Sequence, residues 1–439
     1  MQVEALSASR SDDPTHRTAS AEHKRLPLVV HVLAVGTFLM LTTEFVVAGI
    51  LPDIAEGLGV SLARVGSLIT VFAAGMIVGA PLMTMLTVRL SPRLTLILAL
   101  GIFVAGHVWV ALASDVDQIV IARFLTGLAT GAFWAVSAVV ASRAAGSAMG
   151  SRAVGIVAAG GSLATVLGVP IGAYVAQLTG WRGTFWALAI AAALVTVLVS
   201  RSVPRDEPAN GERPSLVADL AGLLSVRLWL VLLACATTSG GVLAAYSFIA
   251  PVLIGRSGVP ASAVPLVLTV FGIGSFVGTL VAGRLGDRHP HAVTIVTPAV
   301  STVLMAAIFL FSCWSWAMVT LIALLGLFGL SANGVLIHLA VRFSGRAASL
   351  GSALSVAAFN LGTAVVTPVA GAALASPLGL DGPAAVGTAV IALTLIPTTV
   401  LGIITLRRGR TRSGRDSADG SSRRGLSEAP HNAFPGTLR

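Results

Sequence analysis

The chain has 439 residues, of which 55% are apolar and only 10% charged, against roughly 25% charged in an ordinary soluble domain. So few charges cannot cover a soluble fold of this size, whereas the apolar supply suits roughly a dozen membrane helices of about 20 residues each. The formal charge of +10 is no nucleic-acid signal, because the basic residues stand between and beyond long unbroken apolar runs; those runs also exclude a strand barrel, which alternates over segments of about 10 residues.

In chain order, residues 1–27 form a polar tail with Asp12, Asp13, Arg17, Glu22, Lys24 and Arg25. A full-length apolar span follows it, so an uncleaved tail is expected rather than a signal peptide. Apolar segments then run 28–51, 65–88, 94–113, 118–142, 153–178 and 183–203. A polar linker, 204–227, holds Pro204, Arg205, Asp206, Glu207, Pro208 and Pro214. The second set follows at 228–253, 262–285, 292–312, 316–341, 346–375 and 384–406. Residues 407–439 are rich in Arg, Ser and Gly, a composition expected to stay disordered. The domains expected are thus a 28–203 bundle and a 228–406 bundle, joined by the linker and flanked by two tails. Cys235 and Cys313 both lie in apolar runs and read as packing thiols, with no CxxC metal site.

Arginines set the orientation. With the N-terminus inside, 24 basic residues fall on the inner side and three, Arg64, Arg182 and Arg256, on the outer side. That split satisfies the positive-inside rule and places both termini in the cytoplasm. Arg407, Arg408, Arg410 and Arg412 follow the last span and are expected to meet anionic lipid.

The halves repeat at an offset of 199. The run from Gly79 to Arg89 aligns with that from Gly278 to Arg288, Pro52 with Pro251, and Gly172 with Gly371. This predicts an all-α polytopic membrane protein whose twelve transmembrane helices form two pseudo-symmetric six-helix bundles. Parallel repeats around a central cavity are the architecture of rocking transporters.

Glu44 is the most informative residue. It lies about seven residues before the outer end of the first segment, roughly 10 Å below the interface, and Arg123 enters the fourth at a depth of roughly 8 Å. An ion pair between them is geometrically possible. Intramembrane charges are expensive and default to a functional reading, here proton coupling; a structural bridge pinning two helices is the alternative. Arg123, Gly127, Gly131 and Trp134 share one helical face. The fifth segment carries Gly160, Gly161, Gly168, Pro170 and Gly172, where proline removes a donor and bends the helix. Gly168 and Gly172 also suit ordinary close packing.

Arg123-x3-Gly127-x3-Gly131, the Gly/Pro run of the fifth segment and the loops ending at Arg89 and at Asp287-Arg288 resemble signatures of the major facilitator superfamily. Thr43-Glu44-Phe45, the run from Gly49 to Ile54, the run from Gly75 to Pro81 and that from Gly180 to Trp186 narrow the likeness. They resemble twelve-helix drug:proton antiporters, in particular bacterial chloramphenicol-resistance and sugar-efflux permeases. The resemblance covers about residues 28–406. It implies the major facilitator fold, a bacterial cytoplasmic membrane, and export, since the fifth-helix motif (Gly160, Gly168, Pro170, Gly172) belongs to exporters. It also assigns Arg89, Arg93, Asp287 and Arg288 to inner-gate loops, although all three arginines also suit the positive-inside rule alone. Val88 stands where the family carries aspartate, so the first-half latch departs from the pattern.

A substrate pocket of Phe45, Trp134, Tyr246, Asn333 and Asn360 is expected, apolar with few polar anchors and suited to a lipophilic compound. His107 and His338 receive no role. The expected function is proton-coupled export of a small amphipathic compound, such as chloramphenicol; the alternative is a proton-coupled permease for a sugar or nucleoside. No phosphate-binding GxxxxGK[ST] segment occurs. The expected partners are substrate, protons and lipid, with no nucleic acid, no metal and no cofactor. A monomer without enzymatic activity is expected.

Overall fold

The structure, a computed structural model, describes residues 26–86, 90–146, 149–204, 225–344 and 348–405. Twelve helices among them are long and apolar enough to cross a membrane. Spans 1 to 6 are Leu28–Gly49, Leu62–Gly79, Pro92–Leu112, Val116–Ala145, Ala153–Thr179 and Trp181–Ser202. Spans 7 to 12 are Val226–Gly255, Ala261–Arg288, Pro290–Phe311, Ser315–Phe343, Gly351–Leu374 and Gly379–Thr405. Helices are the outcome because no water in the bilayer core can satisfy backbone N–H and C=O groups, so each segment must bond to itself.

Local chemistry marks the helix ends. Span 3 starts at Pro92 behind Ser91, whose hydroxyl accepts from the Leu94 amide at 3.3 Å. Span 4 starts behind Asp115, whose carboxylate accepts from the Gln118 amide at 2.9 Å. After span 1 the chain turns into a short helix, Leu51–Leu58, and span 7 ends in its counterpart, the short helix Ile249–Gly255. Pro52 and Pro251 lie in them; each lacks the N–H that would continue the preceding ladder. Span 5 carries one π-helical turn, Ala164–Gly168, just ahead of Pro170.

Packing repeats with the sequence. A Cβ on Gly75 would meet the Phe124 carbonyl, and one on Gly127 the Phe72 carbonyl. In the second half Gly274 faces the Ala323 carbonyl and Gly326 the Phe271 carbonyl. Each of these eight residues has its counterpart 199 positions away, so spans 2 and 4 cross as spans 8 and 10 do. Glycine is required because backbone meets backbone at the crossing.

The halves press together at the end of the bundle carrying the short helices. There Gly49 faces Leu268, Gly66 faces Phe248, Gly371 faces Ala63, and the Gln177 amide donates to the Ala261 carbonyl at 2.7 Å. Cys235 is buried, whereas Cys313 is exposed, because it sits in the turn just beyond span 9 and not within a helix.

Candidate functional site

A small cavity of about 10 Å³ lies between the halves, lined from span 1 by Glu44, Phe45 and Ala48 and from span 2 by Ile69, Phe72 and Ala73. The second half contributes Leu243, Tyr246 and Ser247 of span 7 and Thr363 of span 11. It is about one water in size. The lining follows the repeat: Glu44 and Leu243, and Ala48 and Ser247, are 199 apart. Phe45 meets Tyr246 edge-on at 6.4 Å, and Tyr246 stacks against Phe271 at 4.5 Å. The Tyr246 hydroxyl is buried without a hydrogen-bond partner. Glu44 is thus a carboxylate among mostly apolar walls, at the seam between the halves.

Arg123 is fully buried in span 4. Its Nη1 donates to the Thr43 hydroxyl at 2.9 Å and to the Thr43 carbonyl at 3.1 Å. The guanidinium lies 4.2 Å from the centre of the Phe72 ring, a cation–π contact. Its Nε and Nη2 have no hydrogen-bond partner. Among the described residues the ion pairs are Arg64–Asp117 and Arg256–Asp381; Glu44 and Arg123 form none. The guanidinium is bonded instead to the residue before Glu44, with three of its five N–H groups to spare.

The other expected pocket residues lie elsewhere. Trp134 stands three turns along span 4 from Arg123, against Gly161 of span 5; at 1.5 Å per residue that is a different depth from Phe45. Asn333 opens the second part of span 10, beyond a break at 330–332, with its Oδ1 buried and unpartnered. Asn360 donates to the Val356 carbonyl at 2.9 Å, and its Oδ1 is likewise unpartnered. None of the three lines the cavity; Phe45 and Tyr246 do.

The span 5 motif packs on span 1. A Cβ on Gly160 would collide with the Ala34 carbonyl, on Gly168 with the Thr42 hydroxyl and on Gly172 with Val46. The π turn also reaches across the halves, since Gly272 of span 8 abuts the Thr165 carbonyl. Pro170 is buried immediately after it. Of the gate-loop residues, Arg93 donates from the start of span 3 to the Ser200 carbonyl near the end of span 6. That bond lies within one half. Asp287 and Arg288 are exposed at the end of span 8, and Arg89 and Val88 lie outside the described residues, as do 205–224 of the linker and residues 406–439.

Thr43, Phe72, His107 and Thr363 carried no role from sequence. Depth would have found Thr43 and His107: like Arg123, each lies five to seven residues from the same end of its span, at roughly 8–10 Å.

Outside the membrane spans, Asp53 has its carboxyl pushed above the ordinary aspartate range, first by partial burial and second by the neighbouring Glu56 carboxylate.

Twelve spans in two repeated halves, with a cavity and a carboxylate between them, define a multi-pass secondary transporter for a small molecule. A sequence profile of the Major Facilitator Superfamily matches residues 33–266 and 232–435, and the chain belongs to that superfamily. The chloramphenicol resistance protein of Streptomyces lividans is 33% identical over 373 residues, covering 84% of this chain and 95% of its own length. The inner membrane transport protein YdhP of Escherichia coli (strain K12) is 32% identical over 368 residues, covering 83% and 93%. Among solved structures, a bacterial homologue of the human lysosomal transporter Spinster, inward-facing and unoccupied, superposes with a TM-score of 0.63 at 16% identity over 86% of this chain and 94% of that one. Its occupied form gives 0.64 at 15% identity over 87% and 96%. At that identity the likeness is one of fold.

Proposed function

We propose that this transporter exports small amphipathic compounds in exchange for protons, with Glu44 as the residue that gains and loses the proton. The observation that carries the reading is the position of Glu44, a carboxylate in a mostly apolar cavity between the halves, next to a buried guanidinium with unpartnered donors. When the halves rock, a carboxylate placed there exchanges water for Arg123 as neighbour. Its affinity for a proton then alternates, because a low-dielectric wall disfavours the charged form and a guanidinium favours it. A lipophilic substrate suits Phe45, Tyr246 and Phe72. Similarity to a chloramphenicol resistance protein makes chloramphenicol the first compound to try.

The test is transport in inverted membrane vesicles expressing the chain. Acidifying their interior is expected to drive chloramphenicol inward, and a protonophore to abolish the effect. Intact cells whose uptake of a sugar or nucleoside rises with expression and collapses with the gradient would replace this reading with that of a permease.

A further inference from the structure

A buried hydrogen-bonded chain runs from Arg123 away from the cavity and ends on a histidine of span 3. His107 is only 1% exposed. Its Nδ1 is 2.7 Å from the Phe103 carbonyl, one turn earlier, and its Nε2 is 2.8 Å from the Thr43 hydroxyl. The ring is held by Phe103 at 4.0 Å and by Phe185 of span 6 at 5.9 Å.

The order of donors follows from the partners. A carbonyl only accepts, so Nδ1 carries the hydrogen; a neutral imidazole then accepts at Nε2. The Thr43 hydroxyl therefore gives its one proton to His107 and turns its lone pairs toward Arg123 Nη1. The chain reads Arg123 to Thr43 to His107 to Phe103, every bond directed one way. Were Nε2 protonated as well as Nδ1, the ring would be an imidazolium and set two cations side by side in a buried site. Arg123, from span 4, is the charged group facing the ring; span 1 presents Thr43 and span 6 presents Phe185.

The consequence concerns Glu44. Thr43 and Glu44 are adjacent on span 1, and Arg123 is bonded to the first and not the second. We propose that His107 is a positioning residue which, by accepting the Thr43 hydroxyl proton, holds Arg123 on Thr43 and so sets how readily Arg123 pairs with Glu44. The role rests on the proposed proton cycle at Glu44, but it acts on Glu44 through two intermediate side chains, without touching substrate.

The test needs no substrate. The full chain in liposomes is titrated by infrared difference spectroscopy, and the protonated-carboxyl band missing from Glu44→Gln is assigned to Glu44. In Thr43→Val Arg123 keeps only its bond to the residue-43 carbonyl, and in His107→Leu the Thr43 hydroxyl loses the acceptor that orients it; both loosen the hold on Arg123 and favour its pairing with Glu44. The pH at which half of that band is lost is then expected to move toward acid by about one unit or more, the effect of an opposite charge brought close. Thr43→Ser keeps the hydroxyl and is expected to titrate as the parent does. Because both residues act through one bond, the double variant His107→Leu/Thr43→Val is expected to shift no further than Thr43→Val alone. A His107→Leu band with the parent midpoint, or two shifts that add, would overturn the proposal. Should His107→Leu fail to fold, Thr43→Val against Thr43→Ser decides alone, equal midpoints overturning it. Failure of the proton-cycle reading shows separately, as gradient-driven export by Glu44→Gln.

Discussion

The two halves share a scaffold and differ in what they bury. Spans 2 and 4 cross through Gly75 and Gly127 as spans 8 and 10 cross through Gly274 and Gly326. The phenylalanines behind those crossings, Phe72 and Phe271, both face the centre of the molecule, but Phe72 carries the Arg123 guanidinium whereas Phe271 stacks on Tyr246. The counterparts of Thr43, Glu44, His107 and Arg123 are Val242, Leu243, Ala306 and Ile322. One half therefore holds a charged network, and the other faces it with uncharged residues, Leu243, Tyr246, Ser247 and Thr363. The repeat preserves what backbone packing demands, and at these four positions the charged and imidazole side chains belong to the first half.

The largest effect expected from breaking that asymmetry is at Glu44. Glu44→Gln keeps shape and hydrogen bonding but cannot release a proton, so gradient-driven transport is expected to fall to background. Exchange of a neutral substrate across reconstituted liposomes is expected to survive, because the amide imitates the protonated acid. Adding Leu243→Glu to Glu44→Gln puts a carboxylate at the symmetry-related position, yet it is expected to restore nothing, since Ile322 stands where a second Arg123 would be needed. Gradient-driven transport by the double variant would mean that either half can carry the proton. Membrane yield measured alongside separates lost coupling from lost folding.

The glycine crossings test the shared part. Gly127→Ala and Gly326→Ala each thrust a methyl group into a helix carbonyl that cannot rotate away. Overpacking of this kind costs about 1–3 kcal/mol, and the two variants are expected to lose yield and thermal midpoint alike. A large effect in one half only would show that the repeated crossing bears unequal load. Gly272 differs, because the carbonyl it meets, that of Thr165, belongs to the other half. On the proposed rocking cycle, Gly272→Ala is expected to leave yield nearly intact and to slow transport, since it obstructs closure between the halves. Loss of yield equal to that of Gly326→Ala would remove this distinction.

Much of this was legible in the sequence, for physical reasons that also explain the rest. Twelve spans and their repeat follow from apolar run lengths and from glycines and prolines, which report backbone demands directly. Glu44 and Arg123 stood out because charge inside a membrane is costly. Their arrangement did not, since depth along each helix places two residues at one level without saying which neighbour a guanidinium selects; the structure gives it Thr43. Trp134 and Asn333 were drawn in by sharing a helical face or a repeat position with a promising residue, and helical faces say nothing of depth. His107 passed without a role because a histidine among apolar residues has no visible partner until spans 1, 3 and 4 are brought together.

The smallest expected effects lie at the end where the halves meet, where, among the described residues, each half has one ion pair. Arg64–Asp117 joins the starts of spans 2 and 4, with side chains 52% and 78% exposed. Arg256–Asp381, at 3.0 Å, has its aspartate only 19% exposed. Ser312 donates to the same carboxylate at 2.6 Å, and the Ser257 hydroxyl donates to the Ser312 carbonyl at 2.7 Å, so spans 7 and 12 are tied to the turn after span 9. An exposed pair is worth about 0–1 kcal/mol and is screened by salt, so Asp117→Asn is expected to leave the thermal midpoint of the purified protein nearly unchanged. Asp381→Asn loses a charge-assisted bond and the counter-charge of Arg256; with Arg256 half exposed and water sharing the loss, about 1 kcal/mol is the expected scale. Raising ionic strength is expected to erase the small effect of Asp117→Asn and to leave most of that of Asp381→Asn, because the serine bonds persist in salt. Equal midpoints for the two variants, or a greater loss from Asp117→Asn, would mean that the exposed pair bears load its surroundings do not account for.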